Sequence, residues 1–145
     1  MMASASPHIL ERQETPLSAW TTLMSRTLHM PGQVAPAEYH SLIQADYVTA
    51  IGVTASGQIP LVRQYRPALE RFTLELPGGL RDGEEDPQTA ALREFTEETG
   101  LSVIGPAHAL GCLVPDSGRL ENKLWGFVVK ANEQAPAQWA SEPGI

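Results

Sequence analysis

The 145-residue chain carries one cysteine, Cys112, so it cannot form an internal disulfide and gives no support to a structural zinc site. That usage suits a reducing compartment, and a cytoplasmic protein is expected. Positive charge is also scarce: 10 Lys and Arg face 17 Asp and Glu, leaving a formal net charge of −7. The balance argues against a nucleic-acid module that works through a basic surface. It also means that an anionic ligand would be repelled unless a cation screens the carboxylates. No apolar run approaches the length of a membrane span. Residues 1–14 lack the basic end and apolar stretch of a secretory signal, so no membrane partner is expected. His8, His29, His40 and His108 show no metal-ligand spacing, and no internal repeat is visible.

What remains is the composition of a globular domain, 42% hydrophobic and 19% charged, and long enough for one core. Residues 1–17, rich in Ser, Ala and Pro, are expected to be a flexible segment, and 18–145 a single domain. Strands are predicted over Trp20–Met30, Tyr39–Ile43, Tyr47–Thr54, Ile59–Tyr65, Phe72–Leu76 and Leu124–Lys130, with a broken one over Ser102–Leu113. Ala55–Gln58 reads as the turn of a hairpin between the third and fourth of these. Strands on both sides of one helix predict an α+β fold around a mixed sheet.

That helix is sharply punctuated. Asp86 suits an N-cap, Pro87 the first helical position, and Gly100 the left-handed stop. Ala91, Leu92 and Phe95 form an apolar stripe. Glu94, Glu97 and Glu98 stand at i, i+3 and i+4 and share a face. Like charges at that spacing weaken a bare helix by roughly 0.2–0.5 kcal/mol each, and the dipole disfavours anions toward the C-terminal half. A solvated acidic face is the plain alternative. A hard, oxygen-seeking cation, Mg²⁺ or Mn²⁺, would reverse the local electrostatics and make the cluster useful.

Gly79, Glu85, Arg93, Glu94, Glu97, Glu98, Gly100 and Leu101 together resemble the Nudix box, Gly-x5-Glu-x7-Arg-Glu-U-x-Glu-Glu-x-Gly-U, where U is bulky and apolar. With typical residue usage near 7%, seven fixed matches arise by accident on the order of 10⁻⁸ times per starting position. The chain departs only at Phe95, aromatic where the family has Ile, Leu or Val, which bears on packing and not on chemistry. The resemblance implies an α/β/α sandwich and a pyrophosphohydrolase. Its metal would be held by Glu94, Glu97, Glu98 and the Gly78 carbonyl. Arg93 would orient the carboxylates or brace the helix. Glu85 would support the metal-holding acids from behind or serve as a favourable charge at the helix start.

Further residues resemble the ADP-ribose pyrophosphatase branch of that family. They are Arg63-Gln64-Tyr65-Arg66-Pro67, then Glu75-Leu76-Pro77-Gly78-Gly79, Pro115 after the box, and Gly118-Arg119 leading to Trp125. The implied substrate is a small nucleoside diphosphate, ADP-ribose first, with other sugar nucleotides such as GDP-mannose or dinucleoside polyphosphates as alternatives. A silent nucleotide-binding module is the alternative of another class, and the complete set of carboxylates counts against it. Arg66 is expected to grip phosphate, as a guanidinium can bidentately, or to form a surface salt bridge. Trp20 would stack a base, across a homodimer in this branch, or pack on the core. Pro115 and Arg119 are further candidates for substrate contact. Glu142 lies in the region that supplies the branch's catalytic base, with Glu133 as the alternative. Family domains continue past this point to a last strand and helix, which the residues after Lys130 do not suggest; truncation is the expectation.

Overall fold

The computed structural model of the chain describes residues 6–135. Glu142, and the expectation of a missing C-terminal strand and helix, fall on residues 136–145, outside the described residues. The chain divides into two compact units, one formed by residues up to 44 with 114–122, the other by 45–113 with 123 onward.

The first unit is a three-stranded antiparallel sheet in the order β1-β2-β3, from His8–Pro16, Thr22–His29 and Ala37–Ile43. Residues 8–16 were expected to be loose, yet they pair with β2 from His8↔His29 to Pro16↔Thr22. The strand escapes a pattern-based reading because it has no apolar alternation and almost every residue is exposed. Its pairing comes from backbone groups, and its polar, charged face suits an edge strand.

The second unit holds the helix. A four-stranded mixed sheet runs in the order β7-β4-β9-β8, from Gly78–Leu80, Tyr47–Val53, Leu124–Ala131 and Val103–Leu113. β4 and β9 are parallel, and the other pairs are antiparallel. β8 slips register between Ile104 and His108 and again between Ala109 and Gly111, where Gly105 and Gly111 take positive φ. Those slips are the break read in the sequence. β5 (Val62–Arg66) and β6 (Arg71–Glu75) form a separate ribbon around a 3₁₀ turn at Pro67–Leu69. The turn at Ala55–Gln58 exists, held by Thr54 and Gln58 backbone bonds. It is not a hairpin, however: β4 continues into the mixed sheet while β5 leaves to pair with β6.

α1 (Pro87–Thr99) begins and ends where the punctuation predicts. The Asp86 side chain accepts from Thr89 N, and Gly100 has φ 68°. Its buried face, Ala90, Ala91 and Phe95, packs on Val48 and Ala50 of β4 and on Phe127 and Val129 of β9. Leu92, predicted in the stripe, is only partly buried, whereas Ala90 is fully buried. A Cβ built on Gly52 would collide with the Phe95 ring. The aromatic departure from the box is thus matched by a glycine on the facing strand.

Candidate active site

Two glycines bring the β7 strap against its neighbours. A side chain at Gly78 would strike the Val48 carbonyl and Thr49, and one at Gly79 would lie 2.5 Å from the Glu94 carboxyl carbon. Only glycine permits this approach. Pro77 and Gly78 are buried. The Pro77 carbonyl accepts from Ala50 N at 3.1 Å and from the Thr49 hydroxyl at 2.9 Å. Gly78 N donates to Glu98 Oε2 at 2.8 Å, and the Gly78 carbonyl accepts from the Tyr47 hydroxyl at 2.6 Å. Strap and helix thus meet through Glu94 and Glu98.

The acids of the box are organised around Arg93. Its Nε and Nη2 donate to Glu85 at 3.3 and 3.2 Å, while Nη1 donates to Glu94 at 2.8 Å and Glu97 at 3.0 Å. Asp82 adds an ion pair at 3.9 Å. Glu98 is 8% exposed, whereas the Glu97 side chain keeps 48% of its surface. Burial pushes the Glu94 carboxyl above its usual pKa, against the pull of Arg93; neighbouring Glu97 and Asp82 push the same way. Glu85 moves down because Arg93 donates to it. Of the two roles open to Glu85, its grip on Arg93 favours bracing the acids over a simple charge at the helix start.

The donors on this strap are hard oxygens, the carboxylates of Glu94 and Glu98 and the Gly78 carbonyl, which suits a Mg²⁺-type cation. The glycine cradle at Gly79 leaves room for the Glu94 carboxylate where any side chain would displace it. On these two grounds the residues fit such an ion. Among the described residues, no three His, Cys, Asp or Glu side chains already converge as a metal-holding group. Glu97 in particular points its carboxylate to Arg93.

Arg66 is engaged within its own ribbon. Its Nε donates to Glu75 Oε1 at 2.9 Å and Nη2 to Oε2 at 2.5 Å, and the Thr73 hydroxyl donates to the same carboxylate. Hydrogen bonds from Arg66 and Thr73 hold Glu75 at a pKa of about 2, and Glu75 in turn drives the Arg66 pKa upward. The salt-bridge alternative for Arg66 is therefore realised, and a phosphate contact would have to share or displace Glu75. Trp20, Pro115 and Arg119 belong to the first unit. Trp20 is 72% exposed, so core packing does not account for it. Pro115 is exposed, and Arg119 pairs with Asp116 at 2.9 Å. Glu133 is tied to the 54–58 turn, accepting from Ser56 N at 2.7 Å and the Ser56 hydroxyl at 3.1 Å.

Two residues of the site carry no signal in the sequence. Tyr47 grips Gly78 from 31 positions away. Asp46 accepts from Lys123 N and Trp125 Nε1, at 2.9 and 3.0 Å, and faces Arg81 at 3.6 Å. It thereby joins the starts of β4 and β9 to the end of β7. Burial would raise the Asp46 pKa, but the bonds from Trp125 and Lys123 outweigh it and lower it.

A solved ADP compounds hydrolase superposes with a TM-score of 0.76 over 100% of this chain and 80% of its own, at 21% identity, which shows the fold. ADP-ribose pyrophosphatase of Bacillus subtilis is 45% identical over 55 residues, 38% of this chain and 30% of that protein. ADP-sugar pyrophosphatase of Mus musculus is 50% identical over 85 residues, 58% of this chain and 39% of that protein. The matched stretches therefore span well under half of these curated relatives. The NUDIX domain model matches residues 44–140, more than half of the chain. The Gly79–Leu101 box and the helix that displays it thus lie within that match: the chain belongs to the Nudix family.

Proposed function

We propose that the protein is a Mg²⁺-dependent pyrophosphohydrolase that cleaves ADP-ribose with water to AMP and ribose 5-phosphate. The observation that carries the reading is the meeting of Glu94 and Glu98 with the Gly78–Gly79 strap. Glu94, Glu98 and the Gly78 carbonyl would hold the ion, and Glu97 would join them by leaving Arg93. When bound, the ion supplies charge neutralisation to phosphate oxygens and favours ionisation of water. Mn²⁺ has the same ligand preference and would substitute.

Phosphoryl transfer asks little covalent help of the protein, so positioning dominates. Arg93, held by Glu85, keeps the Glu94 and Glu97 carboxylates turned along one side of α1. Arg66 grips a phosphate by sharing its fork with Glu75. Trp20, with Arg119 and Pro115, contributes to substrate contact, and a homodimer would let an exposed Trp20 serve a partner's site. Glu142, with Glu133 as the alternative, takes the proton from the attacking water. The names of the bacterial and mouse relatives support an ADP-linked sugar. The single cysteine supports a reducing, cytoplasmic setting; among the described residues no helix is long and apolar enough to cross a membrane.

The test is phosphate release, through a coupled phosphatase, from a panel of nucleoside diphosphates with Mg²⁺. Preferential turnover of ADP-ribose is expected. Equal or better turnover of GDP-mannose or a dinucleoside polyphosphate would move the substrate elsewhere in the family, and binding without turnover would make the protein a silent module.

A further inference from the structure

We propose that Tyr47 is a positioning residue: its hydroxyl helps fix the direction of the Gly78 carbonyl for the cation. The inference rests on the metal reading given above and deepens it by naming what sets one of the ligands.

Glycine has the freest backbone of any residue, so the two peptide planes that meet at Gly78 need outside support to hold one orientation. The plane before it, which carries the Pro77 carbonyl and Gly78 N, is held three times over. Ala50 N and the Thr49 hydroxyl donate to the carbonyl, and Glu98 accepts from the N–H. The plane after it carries the Gly78 carbonyl and Gly79 N, and Gly79 lies opposite Val48 in the β4–β7 ladder. Here the side-chain support is the Tyr47 hydroxyl, donating at 2.6 Å from the start of β4. A carbonyl oxygen has two lone pairs, so one such bond leaves the other for a cation while fixing the plane in which it lies. Orienting a ligand through a hydrogen-bonded neighbour is a general way in which proteins tune metal affinity.

Tyr47 is half-buried, which keeps water from competing freely for the bond.

The experiment titrates Mn²⁺ into the substrate-free protein and follows the free ion by electron paramagnetic resonance. Wild type, Tyr47→Phe and Thr49→Val are compared, with kcat and KM for ADP-ribose measured alongside. Tyr47→Phe keeps the ring and loses only the hydroxyl. It is expected to weaken Mn²⁺ binding about 10-fold, to lower kcat at limiting Mg²⁺ with partial recovery at high Mg²⁺, and to leave KM unchanged. Thr49→Val removes a bond to the neighbouring Pro77 carbonyl, whose plane stays held, and is expected to bind Mn²⁺ as wild type does. Equal Mn²⁺ affinity in wild type and Tyr47→Phe would overturn the role while leaving the metal reading intact. Equal losses in both variants would reduce it to general loosening of the strap, and loss of the fold in Tyr47→Phe would make the hydroxyl a folding group; either overturns it. A wild type that binds no Mn²⁺ would defeat the metal reading and this inference with it.

Discussion

Two arginines set the character of two regions in the same unit. Arg93, on α1, is shared among Glu85, Glu94, Glu97 and more distantly Asp82. Arg66, on the β5–β6 ribbon, is committed to Glu75 through both arms of its fork. The first arrangement leaves an excess of negative charge around one cation; the second is balanced one to one. Carboxylates in excess over one guanidinium leave charge that a further cation would balance, whereas a one-to-one pair is already balanced. On the proposed reading, the helix region receives the cation and the ribbon presents the guanidinium.

The largest effect should come from removing one charge from the excess. Glu98→Gln keeps the shape and the reach to Gly78 N but loses a charged donor. If ion-mediated stabilisation of about 4 kcal/mol depends on it, kcat falls about 10³-fold. Near-normal turnover with intact circular dichroism would dismiss the distinction between the two regions.

Next in size is the packing that presents the acids. Gly52→Ala pushes a methyl into the Phe95 ring and should destabilise by about 1–3 kcal/mol, read as a lower urea midpoint. Pairing it with Phe95→Leu should recover part of that loss, because the smaller side chain vacates the overlap. No recovery in the double variant would mean that Gly52 is needed for another reason.

On the ribbon, Arg66→Lys keeps the charge and loses the fork. It should raise KM for ADP-ribose roughly 10-fold, equivalent to about 1.4 kcal/mol, with a smaller change in kcat. If only the urea midpoint moves, Arg66 is a structural partner of Glu75 and nothing more.

The smallest effect is on acid stability. Glu75 titrates near 4.5 when unpaired and at about 2 in the fold, because Arg66 and Thr73 donate to it. A depressed folded pKa means the stabilisation is complete above about pH 4.5 and is lost as pH falls toward about 2. The gap in urea midpoint between wild type and Glu75→Gln should therefore narrow between pH 5 and pH 3. A constant gap would show that the pair is too solvated to matter, as partly exposed ion pairs can be.

What the sequence made legible was local. Asp86, Pro87 and Gly100 bracket the helix because capping acts over three or four residues. The spacing of Glu94 and Glu98 is set by the helical repeat, so their shared side could be read before any contact was known. The partner of β4 could not: Tyr47–Val53 and Val62–Arg66 are close along the chain, yet each found its pairing elsewhere, in β9 and β6. Strand choice depends on which faces are buried, and a turn at 54–58 does not decide it. Tyr47 and Asp46 were invisible for the same reason, since their partners lie 31 and 79 positions away. Phe95 was visible as a departure from the box; Gly52, which accommodates it, became meaningful only once β4 lay under α1.

The most direct measurement is Mn²⁺ binding to the substrate-free wild-type protein and to Glu98→Gln, with both shown to be folded. Saturable binding by wild type that is lost or weakened by more than an order of magnitude in Glu98→Gln is the predicted result. No binding by wild type, or equal binding by both, would contradict the claim that these glutamates would hold the ion that supports pyrophosphate hydrolysis.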